Sequence, residues 1–279
     1  MTLLTLLALA CSGRPVDDSE APEDTALQLA EAVSGESCDP TERVGWISLT
    51  PSNDQVWVNG VVMDAPDPFT GLPVLDNGAC AYHRYDASVC AQCPDGLYCG
   101  ADGTCALPVG AVADTRVEVS VAGERWDIEA DPVTGLLNGQ VSDLDQAYAM
   151  EIAFGRDRVS VPAMPIARGD VSVSVTVEGS SEAPGALEAS WTPFDDGSVV
   201  RSEIPINHHA QPGTFTLCEA GAEVGGFLAD AEMIEPLAVI TGLEFQGVEH
   251  LHVASAQTSS GCLELRFGTS QHVDPSFEH

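Results

Sequence analysis

Alternation of apolar and polar residues after residue 108 constrains the fold of this chain more than any other feature. The clearest run is residues 171–177, in which every second residue is valine. A period of two places successive side chains on opposite faces of a strand, so one face can enter a core. Short runs of this kind separated by Gly, Pro and Asp predict a mainly β protein with an antiparallel, immunoglobulin-like β-sandwich.

Similar runs divide the second part of the chain into two β-rich regions. We assign residues 109–181 to a sandwich-like region, and residues 182–273 to a second region that either completes the same sandwich or forms another. Residues 274–279 are a tail. Ala122 and Gly123 mark a hairpin turn, and residues 232–240 predict a short helix interrupted by Pro236. The other predicted strands are residues 115–121, 126–130, 147–154, 159–161, 187–191, 199–206, 214–218, 243–245, 248–254 and 263–267.

A cysteine-rich module is predicted between residues 38 and 108. Residues 45–50 and 55–62 read as two strands of a hairpin, whereas residues 64–78 read as a loop. The cysteines of the module are Cys38, Cys80, Cys90, Cys93, Cys99 and Cys105.

Two chemistries compete for the dense cluster that runs from Cys90 to Cys105. A structural zinc site usually has two close cysteine pairs, and only Cys90 and Cys93 are close in this sequence. Disulfides are therefore the favoured interpretation, although spacing alone does not determine the pairing among six cysteines. Cys218 and Cys262 lie far from the others in sequence, and we expect them to pair with each other.

The first residues read as an export signal followed by a cysteine. The apolar residues 3–10 are too few to span a bilayer. Ala8-Leu9-Ala10 before Cys11 resembles the lipobox of bacterial lipoproteins, although no Lys or Arg precedes the apolar run and Ala8 replaces the usual leucine. The resemblance implies a signal peptide at residues 1–10, lipid such as palmitate on Cys11, and sorting to the outer membrane because Ser12 follows. A cleaved secretory signal with an incidental cysteine is the alternative.

The number of cysteines supports the lipid assignment. The chain has nine. Assigning Cys11 to lipid leaves an even set of eight, which suits four disulfides in an oxidising compartment.

Residues 11–37 predict a lipidated acidic linker. They are rich in Asp and Glu, with Arg14 as the only base, which favours an extended, self-repelling tether. Residues 25–34 could form one or two helical turns.

The net charge excludes several partners. The formal charge is −33, from 43 acidic and 10 basic residues, and all of the bases are arginine. Nucleic acid and anionic lipid require clustered positive charge, so neither is an expected partner.

The order of these features resembles that of the cysteine-rich lipoproteins of myxobacteria, a group without an assigned activity. The likeness rests on the lipobox, the acidic linker, the Cys-x2-Cys-x5-Cys-x5-Cys cluster from Cys90, the strand-rich remainder and Trp191-Thr-Pro. It implies no catalytic residues for this chain.

No nucleophile elbow, zinc-protease, P-loop or dinucleotide motif is present in the sequence, so we expect no cofactor. His250 and His252 are two apart on a predicted strand, and they could share a metal ion with His208 or His209 as a third ligand. We expect instead that Leu251 and Val253 face the core and leave both histidines in solvent.

These features predict a lipid-anchored, mainly β protein of the cell envelope that acts as a non-catalytic interaction or structural module. It would face the periplasm or the exterior, with the membrane as one partner and an unknown protein or glycan as another. The alternatives are an envelope hydrolase that uses surface carboxylates and a metal-binding module that uses His250 and His252.

Overall fold

The computed structural model describes residues 28–90, 92–169, 171–206, 213–238 and 242–278. The signal, Cys11, the first part of the acidic linker, His208 and His209 lie outside these residues. The fold is mainly β, as the sequence predicts, with one short α-helix in the described chain.

The strands of the described chain are β1 (Gln28–Glu31), β2 (Val33–Ser34), β3 (Arg43–Ser52), β4 (Gln55–Val62), β5 (Leu72–Asp76), β6 (Cys80–Arg84), β7 (Tyr98–Cys99), β8 (Cys105–Ala106), β9 (Arg116–Val121), β10 (Glu124–Glu129), β11 (Leu136–Ser142), β12 (Tyr148–Phe154), β13 (Asp157–Met164), β14 (Ser174–Gly179), β15 (Pro184–Ser190), β16 (Val199–Pro205), β17 (Phe215–Gly221), β18 (Gly226–Ala229), β19 (Val248–Gln257), β20 (Cys262–Gln271) and β21 (Ser276–Glu278). The helices are α1 (Ala231–Ile234) and the 3-10 turns Ala87–Val89 and Glu235–Leu237.

One long sheet forms the frame of the molecule. Its strand order is β11-β4-β3-β20-β19-β16-β17-β6-β5, and β2 adds to one end of β19. The central strands β19 and β20 pair along their whole length, from Val248 opposite Gln271 to Gln257 opposite Cys262. Strand β3 lies parallel to β20, while its hairpin partner β4 is antiparallel to it.

Two smaller sheets pack on the same face of the long sheet. The five-stranded sheet β1-β13-β12-β9-β10 encloses one apolar core with β3, β4, β11 and β20. The four-stranded sheet β18-β15-β14-β21 encloses a second core with β6, β16 and β17. Val248 in the second core and Ala254 in the first are six residues apart on β19, so their side chains share a face. We call this the covered face and its reverse the open face.

Local sequence signals account for much of the hairpin structure. Val117, Val119 and Val121 alternate with polar residues and are almost fully buried. Ala122 and Gly123 both adopt positive φ, at 53° and 86°. Two successive left-handed residues form the tight turn whose twist matches a β-hairpin, which confirms the predicted turn between β9 and β10.

The region after β18 departs from the prediction. The helix predicted at 232–240 is shorter, because α1 ends at Ile234 and Pro236 lies in a 3-10 turn. Leu243 and Phe245, predicted to lie in a strand, are buried in the second core without strand pairing.

The predicted linker ends earlier than residue 37. Strand β1 pairs with β13 through Gln28 to Glu31, and β2 pairs with β19. The helical turns considered for residues 25–34 are therefore wrong for their described part. Backbone pairing with two different sheets draws this segment into the body of the protein despite its acidic charge.

All eight described cysteines lie in disulfides, but one predicted pair is wrong. Cys218 bonds to Cys80, and Cys262 bonds to Cys38. Both bonds join elements that are distant in sequence, because β17 lies beside β6 and the segment after β2 lies over β20. The other pairs are Cys90–Cys99 and Cys93–Cys105.

The predicted boundaries at 108, 181 and 273 do not separate structural units. Strands β3, β4 and β6 of the supposed cysteine-rich module lie in the long sheet beside β19, β20 and β17. The supposed tail contributes β21, which pairs with β14. A small disulfide-bonded knob, residues 86–108, is the part of that module with its own two-stranded sheet, β7-β8.

Candidate functional site

The two histidines singled out by the sequence lie inside the protein. His250 is 5% exposed and His252 is 8% exposed. Both occupy the covered face of β19, between Val248 in the second core and Ala254 in the first. The expectation that they face solvent is wrong, because the side chains of β19 are buried on both faces, including Leu251 and Val253 on the open face.

His250 contacts a small polar cluster where the two cores meet. Its Nε2 lies 2.9 Å from Ser198 Oγ, and the Asp196 carboxylate is 3.7 Å from the same nitrogen. The Ser198 hydroxyl donates a short hydrogen bond to Asp196. Phe194 packs edge-on against the imidazole, with ring centroids 5.2 Å apart. We call His250, Asp196, Ser198, Phe194 and the neighbouring His252 the seam.

A pocket of about 300 Å³ opens beside the seam, lined in part by Arg168, Phe194, Asp196 and His250. Arg168 is held there by Asp143, to which its Nη1 donates a hydrogen bond of 2.6 Å. That bond is the main reason that the pKa of Asp143 falls to about 2. Arg168 therefore lines the pocket with its charge already paired to Asp143.

Burial is the main influence on the charge of His250. Loss of water lowers its pKa, and the nearby Asp196 carboxylate and Gly169 carbonyl only partly offset this effect. Burial acts on Asp196 in the opposite sense, but hydrogen bonds from the Ser198 hydroxyl and amide outweigh it and lower the pKa of that carboxyl. A neutral imidazole beside a carboxylate is the resulting state near neutral pH.

The seam contains the residue types of a hydrolytic triad but not its geometry. In a triad the acid holds one ring nitrogen and the serine contacts the other. Here Asp196 and Ser198 both face Nε2, while the buried Nδ1 makes no hydrogen bond of standard geometry. Ser198 is only 2% exposed and donates its proton to Asp196. This arrangement does not activate the serine as a nucleophile.

Metal-binding residue types gather elsewhere in the described chain. Cys90, Cys93 and Cys105 are the only group of three such residues there whose ligand atoms all lie within 4.8 Å. Their sulfurs belong to two disulfides, so they do not offer thiolates in this state. His250 and His252 are not part of such a group, and their suggested partners His208 and His209 fall outside the described residues.

A buried charge network lies on the open face, and no sequence motif indicates it. Arg201 Nη1 donates to Glu264 at 2.8 Å, and both side chains are 1% exposed. Arg201 Nε also donates to Glu219 at 2.7 Å. Arg43 and Arg266 complete the set around Glu264, at 3.4 Å and 2.6 Å. Burial alone would raise the pKa of Glu264, but the three guanidinium groups lower it to about 2.

The chain that follows β2 covers this network. The Ser37 hydroxyl lies 2.8 Å from a Glu219 oxygen and accepts a hydrogen bond of 2.7 Å from Arg201 Nη2. The Cys38 amide donates to Glu264, and the Cys38–Cys262 disulfide lies beside it. The end of the predicted tether is thus fastened to the centre of the long sheet by a covalent bond and by buried charges.

Two neighbouring cavities form a groove on the open face. One cavity of about 390 Å³ lies over β16, β19 and β20, and a second of about 220 Å³ lies over β3, β19 and β20. They share Glu249, Arg266 and Ser270. Period-two patterns cannot distinguish this face from the covered one, because both are largely buried on β19 and β20.

No protein-family model matches the chain, and no curated protein matches it. Among the described residues, no helix has the length and apolar character required to cross a bilayer.

Proposed function

We propose that this chain is a lipid-anchored protein of the cell envelope and acts as a non-catalytic interaction or structural module. One observation carries the proposal. The sequence has nine cysteines, and the eight in the described residues are all bonded to each other. These eight are paired among themselves, so none of them is available to Cys11, which is the residue that the lipobox resemblance designates for lipid.

The disulfides also support export from the cytoplasm. Cys38–Cys262 and Cys80–Cys218 close very long loops, with sequence separations of 224 and 138. Such bonds form and persist in oxidising compartments and are rare where thiols are kept reduced. An envelope or exterior location, facing the periplasm or the outside from the outer membrane, agrees with this chemistry.

The segment that contains Ser37 and Cys38 is fixed firmly to the folded body of the protein. Cys38 and Ser37 connect the anchor side of the chain to β20 and β16, which are inner strands of the long sheet. The non-catalytic assignment is supported by the seam, where Ser198 is buried and its hydroxyl is engaged by Asp196.

The anchor is tested in the native host by labelling cells with an alkyne analogue of palmitate and measuring the mass of the mature N-terminal peptide. We expect a chain that begins at Cys11 and carries acyl groups. Cys11→Ala should remove the label, while Ser12→Ala should retain it. A soluble, unacylated product with free thiols would overturn the proposal.

The location is tested by separating the two membranes on a density gradient. The outer-membrane assignment predicts that the acylated protein cofractionates with outer-membrane markers. Ser12→Asp should move it toward the inner-membrane fraction, since the resemblance assigns the sorting signal to this position. Cofractionation of the wild-type protein with the inner membrane would contradict the sorting assignment but not the anchor.

A further inference from the structure

The groove on the open face has two aromatic side chains beside it. Trp46 on β3 lies opposite Glu264 of β20, and Trp57 on β4 lies opposite Thr50 of β3. This register places both indoles on the open face, and their Cα positions are roughly 14 Å apart from standard strand spacing. Trp57 is 36% exposed, and Trp46 is partly exposed.

Arg266 fixes the orientation of one of these rings. Its guanidinium lies 5.6 Å from the centre of the Trp46 ring and is held by Glu264 at 2.6 Å. A cation stacked on an aromatic face and paired with a buried carboxylate limits the rotation of both side chains. Arg266 thus covers one side of the Trp46 ring, and the partly exposed remainder of the indole lines the groove.

The remainder of the groove is polar and hydrogen bonding. Ser48, Thr50 and Ser270 offer hydroxyl groups, Gln246 offers an amide and Glu249 offers a carboxylate. Each hydroxyl both donates and accepts a hydrogen bond. The combined cavities reach the size range of small-ligand sites, with polar groups spread along their length.

The charges of the groove disfavour an anionic ligand. Arg266, the cation that lines both cavities, is paired with Glu264 and lies 3.9 Å from Glu249. Glu203 adds a further negative charge to the larger cavity, on a chain whose formal charge is −33. Phosphate, sulfate and uronate groups would be repelled there.

The strands beneath the groove also disfavour an extended peptide. A peptide that adds to a sheet needs an edge with free backbone N–H and C=O groups. Strands β3, β20, β19 and β16 are all inner strands with a neighbour on each side. Recognition on this surface therefore depends on side chains. The hydroxyl, amide and indole groups that line the groove suit a ligand with hydroxyl groups and flat apolar faces.

We infer that the open-face groove binds a neutral oligosaccharide, with Trp46 and Trp57 stacking on sugar rings and Glu249, Ser48 and Ser270 hydrogen bonding to hydroxyls. This inference rests on the proposed interaction function and specifies its ligand class. Sugar rings present apolar C–H faces and a rim of hydroxyls, which match an aromatic wall and a polar floor. The seam plays no part in it.

Affinity electrophoresis of the purified full chain tests the inference, because the strong negative charge drives fast migration toward the anode. The native gels contain hydroxyethyl cellulose, galactomannan, glycogen or xylan as neutral probes, and polygalacturonate as the anionic probe. A Lys-rich peptide is tested separately by calorimetry. We expect at least one neutral polysaccharide to retard the protein and polygalacturonate to leave it unretarded.

The variants Trp46→Ala and Trp57→Ala should each weaken the retarding interaction at least about tenfold, as truncation of a central aromatic contact does. Tyr98→Ala is the matched control, since Tyr98 is an exposed aromatic residue on the knob. Ser48→Tyr should block the groove by filling it. Thermal unfolding of each variant checks the fold, and Trp57→Ala keeps the test decisive if Trp46→Ala is unstable.

Three results would overturn the inference. They are retardation by none of the neutral polysaccharides, retardation that the Trp46 and Trp57 substitutions leave unchanged, and binding only to polygalacturonate or to the Lys-rich peptide. None of these results bears on acylation at Cys11, so the anchor proposal stands or falls by its own labelling experiment.

Discussion

Arg201 and Glu264 form a buried ion pair at the centre of the long sheet, with 2.8 Å between Nη1 and Oε1. Each ion has further partners, Glu219 and Ser37 for the arginine, and Arg43 and Arg266 for the glutamate. Burial is costly for both charges, and the mutual hydrogen bonds offset that cost. The pair holds the anchor side of the chain against β16 and β20.

We expect Arg201→Met to lower the free energy of unfolding by about 3–5 kcal/mol, because it removes a fully buried counter-charge of the buried Glu264 carboxylate. Arg116→Met is the matched control. Arg116 and Asp127 are both about half exposed and 3.2 Å apart, so this change should cost much less than the loss of the buried pair. Urea unfolding of both variants at neutral pH provides the comparison. Equal losses of unfolding free energy in the two variants would mean that the buried pair stabilises the fold no more than the exposed pair does.

The same pair predicts a specific response to acid. The pKa of Glu264 is lowered to about 2, below its ordinary value near 4.5. A lowered pKa contributes stability that is present above the unfolded value and is lost as pH falls through the folded value. We expect wild-type stability to decline from about pH 5 toward pH 2, and Glu264→Gln to be less stable at neutral pH with a shallower decline. A parallel decline in wild type and variant would contradict this assignment.

His250 predicts a second pH dependence, in a higher window. Burial lowers its pKa below the ordinary value of 6.5. The unfolded chain therefore takes up a proton in a range where the folded chain does not, and stability falls as pH drops below about 6.5. Asp196 and His252 are the charged or titratable groups that act on its ring.

We expect His250→Gln to reduce the loss of stability between about pH 6.5 and 5. His272→Gln is the control, because His272 is exposed and its pKa is raised by the Gln246 carbonyl and Asp274. A raised pKa contributes stability below the unfolded value and loses it as pH rises, so this control should not reduce the acid loss. NMR titration of the His250 ring provides the direct measurement, and a pKa at or above 6.5 would exclude the explanation.

Local patterns predicted strands and turns, but not which strands would meet. The pattern over residues 55–62 predicts a strand, and these residues form β4; the turn that Ala122 and Gly123 predict is also present. The pairing of β3 with β20 joins segments more than 200 residues apart, so no local spacing encodes it. For the same reason the sequence could not indicate that Cys262 bonds to Cys38.

The histidines show a second limit. On a strand with one solvated face, Leu251 and Val253 would have placed His250 and His252 in water. Strand β19 lies in the middle of the sheet, and its side chains are buried on both faces. The period of two therefore shows which residues share a face, but not which face packs against the smaller sheets. A charged residue within a strand usually indicates a solvated face, so the sequence pattern does not indicate that Arg201 and Glu264 are buried.

The Cys38–Cys262 disulfide should stabilise the fold strongly, because it closes a very long loop. Cys38–Cys262 closes a loop with a sequence separation of 224. In the chain-entropy model such a loop contributes about 5 kcal/mol. We expect Cys38→Ala with Cys262→Ala to lower the unfolding free energy by about 2–5 kcal/mol and to expose the segment around Ser37 to proteases. Unchanged stability and unchanged protection would contradict this role.

The knob should behave differently when its own disulfides are removed. Cys90–Cys99 and Cys93–Cys105 have sequence separations of only 9 and 12, and the sheet they enclose has two short strands. It joins the rest of the chain through a few contacts, such as the Tyr85 hydroxyl bond to the Cys99 carbonyl at 2.6 Å. So small a unit has little apolar core and depends on its crosslinks.

We therefore expect Cys93→Ala with Cys105→Ala to unfold the knob locally while leaving the main unfolding transition within about 1 kcal/mol of wild type. Amide hydrogen exchange should show faster exchange for residues 86–108 and unchanged exchange in β19 and β20. The Cys38/Cys262 variant reverses this pattern, because its bond lies on the central strand β20. A loss of unfolding free energy well above 1 kcal/mol in the knob variant would contradict this prediction. It would show that the knob unfolds cooperatively with the two cores, although it joins the rest of the chain through a few contacts, such as the hydrogen bonds with Pro68 and Tyr85.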